Sequence, residues 1–191
     1  MPGGGSARLF AAVDPPPEVA AELSRWARSA ARAGRGGESP ALRILDPDSL
    51  HLTLLFLGER PMEEIDALAG ALSEAALGAG ECVLETGAPL WLPPRRPRAL
   101  AVEIHDPGGA LADLQGQLAR GLCEVTGEQP PRRFRAHVTV ARSRAAPRRG
   151  AELPATPPLG FAVAEAVLYR SRLEPSGARY EAVARAPLGR S

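Results

Sequence analysis

His51-Leu-Thr-Leu54 and His137-Val-Thr-Val140 are one four-residue phrase written twice. They use two of the three histidines and two of the five threonines, so the repeat is not a by-product of a His-rich or Thr-rich composition. In a β-strand, successive side chains point to opposite faces. His and Thr two residues apart therefore share one face, and the aliphatic residues between them turn toward a core. Each phrase reads as a strand that presents an imidazole and a hydroxyl together. Two such strands on a shared cleft offer two proton-transfer groups and two neutral hydrogen-bond donors, a set suited to a phosphodiester.

Working outward, Arg8–Val13 reads as a short apolar strand. Asp14-Pro-Pro-Pro17 stops it and opens a helix in which Val19, Leu23 and Trp26 recur at helical spacing to about Ala33. Gly34–Pro40 reads as a flexible break. Leu42–Leu45 is a strand, Asp46–Ser49 a turn, and His51–Leu57 a strand ending at Gly58. Ile65, Leu68 and Leu72 share one face of a helix over Met62–Leu77. Strands at Cys82–Glu85 and Ala99–Ile104 bracket an Arg/Pro-rich turn, Pro93–Arg98. Leu111, Leu114, Leu118 and Leu122 form a second helical stripe. Ala136–Ala141 is the strand of the second phrase, and Ala145–Pro158 an irregular loop. Phe161–Leu168 and Tyr180–Ala184 are the closing strands, joined across Pro175-Ser-Gly177. Strands outnumber helices without alternating strictly with them, so the class is α+β with a largely antiparallel sheet. The phrases lie near half a chain length apart, which suggests two pseudo-symmetric lobes in a single domain over 1–191, with residues 1–7 and 187–191 flexible.

The bulk properties constrain less. A chain of 191 residues with 45% hydrophobic and 24% charged residues suits one globular domain with a real core. The net charge of +1 sets up no global field that demands nucleic acid. Every basic side chain is Arg, which reads as the coding bias of a GC-rich genome. Cys82 and Cys123 are too few and too far apart for a disulfide framework or a zinc site, and read as reduced, partly buried thiols. No apolar run approaches the roughly 20 residues of a membrane span, and the N-terminus lacks the pattern of a secretory signal. The location expected is the cytoplasm.

With both phrases and their flanks on the page, the chain resembles the 2H phosphoesterase superfamily, and within it the RNA 2′,3′-cyclic phosphodiesterase branch, historically called 2′-5′ RNA ligases. The resemblance is carried by Arg8-Leu-Phe10, by Leu50-His-Leu-Thr-Leu-Leu-Phe-Leu-Gly-Glu59, by Phe134-Arg-Ala-His-Val-Thr-Val-Ala-Arg142, and by the closing Leu168-Tyr-Arg-Ser-Arg-Leu173 and Gly177-Ala-Arg-Tyr180. The chain departs from the branch at Ile44, where Trp is frequent, and at Ala136, where Pro usually precedes the second His. The resemblance implies a bilobal fold of two mainly antiparallel sheets around a central cleft, with the helices packed outside and the phrases facing each other. It implies hydrolysis of a terminal 2′,3′-cyclic phosphate to a 2′-phosphomonoester without cofactor or metal, in some members with reversible 2′-5′ ligation. It also makes His51 the proton donor and His137 the proton acceptor.

The residues can perform this chemistry. Opening the ring needs a base for the attacking water and an acid for the departing ribose oxygen. An imidazole pKa near 6.5 allows either state near neutrality. Thr53 and Thr139 can donate to the non-bridging oxygens as charge builds on them. The residue pattern alone does not say which imidazole is acid and which is base. Arg142, five residues after His137, matches a family arginine and is a candidate phosphate ligand, although strand parity puts it on the wrong face unless a strand end or bulge intervenes. Phe56 and Phe134 flank the phrases and read either as core residues or as platforms for a nucleobase. The cluster Arg95, Arg96, Arg98 and the group Arg132, Arg133, Arg135 read as solvated surface or as contacts to an RNA backbone. His105 reads as a surface turn residue. No Asp, Glu or Cys stands at ligand spacing beside His51 and His137, so a metal site is not expected. The expected partners are RNA 2′,3′-cyclic phosphate ends or small cyclic nucleotides, met by a monomer with no membrane association. Two alternatives stay open: a 2′-5′ phosphodiesterase acting on oligoadenylate-type substrates, and a non-catalytic module that binds RNA ends or nucleotides.

Overall fold

Among the described residues the fold has nine strands and three α-helices: β1 (Ser6–Val13), α1 (Pro17–Ala33), β2 (Leu42–Ile44), β3 (Leu52–Pro61), α2 (Ile65–Leu77), β4 (Cys82–Leu92), β5 (Ala99–His105), α3 (Ala110–Thr126), β6 (His137–Ser143), β7 (Gly160–Val163), β8 (Glu165–Glu174) and β9 (Gly177–Pro187). The computed structural model describes residues 5–33, 42–129, 133–143, 153–174 and 177–189. The Gly34–Pro40 break, Arg132, residues 145–152 of the irregular loop, the Pro175-Ser176 turn and residues 1–4 and 190–191 lie outside the described residues.

All described strand pairings are antiparallel, in the order β7-β4-β5-β6-β3-β1-β8-β9, with β2 also on β6. This curled sheet divides into two groups of four, β7-β4-β5-β6 and β3-β1-β8-β9. A single register pair, Leu52↔Val138, joins them. The helices supply the other layer. Leu111, Leu114, Leu118 and Leu122 of α3, Leu68 and Leu72 of α2, and Leu23 of α1 are fully buried in one core with Leu52, Leu54, Val138 and Val140. Burying a Leu side chain of this kind stabilises the fold by roughly 1.5–3 kcal/mol, so the helical stripes fix the outer face of the sheet and leave its inner face to the cleft. Among the described residues, no helix is long and apolar enough to cross a membrane.

Several element bounds differ from the sequence expectations: β4 runs to Leu92 and not Glu85, β8 reaches Glu174, and β9 spans Gly177–Pro187. β3 does not end at Gly58 but runs on to Pro61, with Gly58 at φ +71°. A left-handed residue at an irregular register step is accommodated inside a strand, and glycine adopts that φ without steric cost. The stretch Phe161–Leu168 is two strands, not one. The first, β7, pairs with β4 and the second, β8, with β1, so the chain changes group at Ala164, whose carbonyl accepts the N–H of Leu188. Residues 5–7 and 187–189, which fall in the segments expected to be flexible, make defined contacts. β1 starts at Ser6, preceded by a bond from Met62 N–H to the Gly5 carbonyl, and Leu188 is buried. Gly189 donates to the Ala76 carbonyl near the end of α2, where helices leave acceptors unpaired. A Cβ there would stand 2.5 Å from the Leu77 carbonyl oxygen, so glycine is what allows the approach.

Candidate active site

Each phrase sits at the start of the strand at which its group meets the other, β3 for His51 and β6 for His137. The pair Leu52↔Val138 sets the register. Extended by one residue in each direction, that register sets His51 toward Thr139 and Thr53 toward His137, a two-fold arrangement of two imidazoles and two hydroxyls. All four residues line one cleft of about 1050 Å³.

The two rings are held by the same device. His51 Nδ1 lies 2.9 Å from the Ser49 carbonyl oxygen, and His137 Nδ1 lies 2.8 Å from that of Arg135. A carbonyl only accepts, so Nδ1 carries the hydrogen in both rings and Nε2 is left for chemistry. The anchoring carbonyl precedes each histidine by two residues, outside the four-letter phrase.

Each phrase ends in a bulge. Ala11 and Ala12 of β1 face Leu55 and Thr53, which leaves Leu54 as the extra residue in β3. Leu100 and Ala101 of β5 face Ala141 and Thr139, which leaves Val140 as the extra residue in β6. Leu54 with Leu55, and Val140 with Ala141, are consecutive core residues. The alternation flips there, so Phe56 and Arg142, each five residues after its histidine, line the same cleft as the imidazoles. The parity obstacle to Arg142 is thereby removed. Phe56 is 69% exposed and is not a core residue. Phe134 packs partly against the core and lines, with Phe56, Thr53 and His137, an adjoining pocket of about 360 Å³.

The surroundings of the rings are unequal. His51 stands 4.9 Å from the ring of Phe10 and 4.9 Å, edge-on, from that of Tyr180 (centroid distances). Tyr169 stacks on Phe10 at 5.3 Å and donates to Asp14 Oδ2 at 2.5 Å. Burial lowers the His51 pKa from 6.5 to about 4; the bond to Ser49 opposes this, while the charges of Arg142 and His137 add to it. Burial likewise raises the Asp14 carboxyl. Burial and the bond to Asp14 raise the Tyr169 hydroxyl. His137 instead adjoins Arg135, whose guanidinium pairs with Glu103 at 3.0 Å.

Of the other sequence candidates, Arg98 lines the main cleft and Arg133 the smaller pocket. Arg95 and Arg96 are exposed turn residues. His105 is exposed at the end of β5, 3.8 Å from Glu103. Cys82 and Cys123 are buried free thiols, and burial raises both pKa values, Cys82 to about 11. Sequence reasoning missed Phe10, Tyr169 and Tyr180 around His51. One signal was available: the chain has only two tyrosines, and both fall in the closing segments that carry the resemblance.

With this geometry in hand, residues 15–174 match the 2′-5′ RNA ligase superfamily. The chain belongs to that superfamily. It is 35% identical over 184 residues to an RNA 2′,3′-cyclic phosphodiesterase of Thermus thermophilus, covering 91% of this chain and 86% of the relative. A protein of the same name from Escherichia coli is 30% identical over 182 residues, covering 91% and 92%. The crystal structure of E. coli LigT complexed with 3′-AMP superposes with a TM-score of 0.79 at 27% identity, covering 96% of this chain and 99% of that one. The resemblance drawn from the two phrases and their flanks is borne out, and so is the α+β fold around a cleft.

Proposed function

We propose that the protein hydrolyses the 2′,3′-cyclic phosphate at RNA 3′ ends, or on small nucleotides, to a 2′-phosphomonoester. The observation that carries this reading is the pair of imidazoles in one cleft, each tied through Nδ1 and each accompanied by a threonine hydroxyl. The curated relatives named RNA 2′,3′-cyclic phosphodiesterase supply the substrate class.

In this scheme His137 Nε2 takes a proton from the attacking water, and His51 Nε2–H gives one to the departing 3′ oxygen. The P–O3′ bond breaks as the new P–O bond forms. Thr53, Thr139 and Arg142 hold the non-bridging oxygens as phosphorus becomes five-coordinate, when their negative charge is greatest. Phe56 is the platform for the base, with Phe134 behind it. The groups needed are all side chains, so the scheme uses no metal. The protein acts as a cytoplasmic monomer.

A second reading exchanges the two imidazoles, and the depressed pKa of His51 favours it. With a pKa of about 4 in the empty cleft, His51 is neutral at pH 7 and is a base before substrate arrives. For His51 to be the donor, the anionic phosphate must bring it a proton, because a negative charge close to an imidazole favours its cationic form. A cyclic phosphorothiolate whose leaving atom is sulfur needs little protonation. It restores turnover to the variant lacking the acid and not to the variant lacking the base.

The primary test incubates the protein with EDTA and a nucleoside 2′,3′-cyclic phosphate and follows the product by phosphorus NMR. The expected product is the 2′-phosphate alone. An unchanged substrate signal, or a 3′-phosphate product, overturns the proposal.

A further inference from the structure

Five arginines, Arg8, Arg43, Arg98, Arg142 and Arg179, line the cleft against two carboxylates, Asp46 and Asp48, an excess of positive charge beyond what a single phosphate requires. Arg43 and Arg142 are register partners across β2 and β6, and Ala99, the neighbour of Arg98, faces Arg142 from β5. Arg43, Arg98 and Arg142 are all exposed and all line the cleft. Side chains directly opposite on an antiparallel pair share a face with Cβ atoms about 5 Å apart, close enough for two guanidinium groups to hold one anion. Arg98 is carried to the same place by the turn between β4 and β5, where its N–H bonds the Leu92 carbonyl and its carbonyl accepts from Ser143. Two strands and the β4–β5 turn thus deliver three guanidinium groups to one end of the cleft, and a guanidinium pairs with phosphate through two parallel hydrogen bonds.

We infer that Arg43 and Arg98, bordered by Arg142, form a second phosphate subsite. It takes the phosphate on O5′ of the nucleoside whose cyclic phosphate faces His51 and His137. In RNA that group is the phosphodiester to the preceding nucleotide; in a free nucleotide it is a 5′-monophosphate. This rests on the hydrolase reading above and adds to it a preference for substrates with a phosphate on both sides of the terminal ribose. Arg142, close enough for its charge to depress His51, is the boundary between the two subsites.

The test compares three substrates: adenosine 2′,3′-cyclic phosphate, the same compound with a 5′-phosphate, and a dinucleotide ending in it. Each is turned over by the parent protein and by R43Q, R98Q and the double variant. KM is expected to be about tenfold lower or better for both 5′-phosphorylated substrates, the scale of charge-assisted hydrogen bonds. In the double variant that advantage disappears, while kcat/KM for the unphosphorylated substrate changes less than about threefold. Calorimetry in parallel compares adenosine 2′-phosphate with adenosine 2′,5′-bisphosphate. The bisphosphate should bind the parent protein about tenfold more tightly, with a steeper salt dependence. Equal binding of the two ligands, or an advantage confined to the dinucleotide, overturns the subsite. If the parent protein turns over nothing while the bisphosphate preference stands and is lost in the double variant, the hydrolase reading fails and the subsite survives.

Discussion

Around His51 stand Phe10, Tyr169 and Tyr180; beside His137 stand Arg135 and its partner Glu103. The two rings share a phrase, a backbone anchor and a bulge at the phrase's last residue, yet one is enclosed by aromatic rings and the other adjoins an ion pair. Their bulges deliver unlike residues as well, a phenyl ring at Phe56 and a guanidinium at Arg142. The repeat therefore fixes orientation, and the two strand groups differentiate what is oriented. The proton affinity of His51 is set mainly by burial, which residues outside both phrases impose.

The sharpest way to break this comparison is to remove each ring in turn. His51→Ala and His137→Ala should each lower kcat on a nucleoside 2′,3′-cyclic phosphate by roughly 10²–10⁴-fold, the usual contribution of a general acid or base. Near-normal turnover at saturating substrate by either folded variant would remove that ring from the chemistry.

The next effect is on stability. His51 has a folded pKa of about 4 against 6.5 for a free imidazole, so between those values the unfolded chain binds more protons than the native one. Stability from this source is fully present above pH 6.5 and is lost as pH falls toward 4, by about 3 kcal/mol in all. His51→Phe should flatten that part of a urea-denaturation series against pH. An unchanged slope would mean that the aromatic enclosure does not desolvate His51.

Smaller effects separate the oxyanion contacts. Thr53→Val and Thr139→Val should each reduce kcat by about 10–100-fold with little change in KM, because the hydroxyls act mainly on charge that develops in the transition state. A rise confined to KM would instead make them ground-state ligands. The smallest change is expected at Phe56. Loss of a stacking platform in Phe56→Ala should raise KM about tenfold, and equally for purine and pyrimidine substrates, since every base offers a π-face. A variant with unaltered KM for both would leave Phe56 an exposed aromatic without a ligand.

Much of this was legible in the chain because the signals were local. The leucine stripe of α3 and the two phrases each lie within one element, where periodicity of 3.6 or 2 translates directly into a face. The bulges had a local trace as well. In both phrases the threonine is followed by two consecutive core residues, Leu54-Leu55 and Val140-Ala141, which breaks the alternation and moves Phe56 and Arg142 to the cleft. Other features were beyond a linear reading. The enclosure of His51 is assembled from β1, β8 and β9, and neither Phe10 nor Tyr180 has a sequence neighbour that announces the other. The change of strand group at Ala164 was hidden by an unbroken run of strand-forming residues. Only its pairing partners, β4 on one side and β1 on the other, divide it.

That crossing at Ala164 gives the two histidines different dependencies on the tail of the polypeptide. Strands β4 to β7 form one uninterrupted stretch, so a ribosome has delivered His137 and its neighbours in that group before it reaches Glu165. The companions of β1 and β3 come last. Tyr169 and Tyr180 follow the crossing, and a polypeptide halted at Ala164 would lack two of the three rings that shield His51.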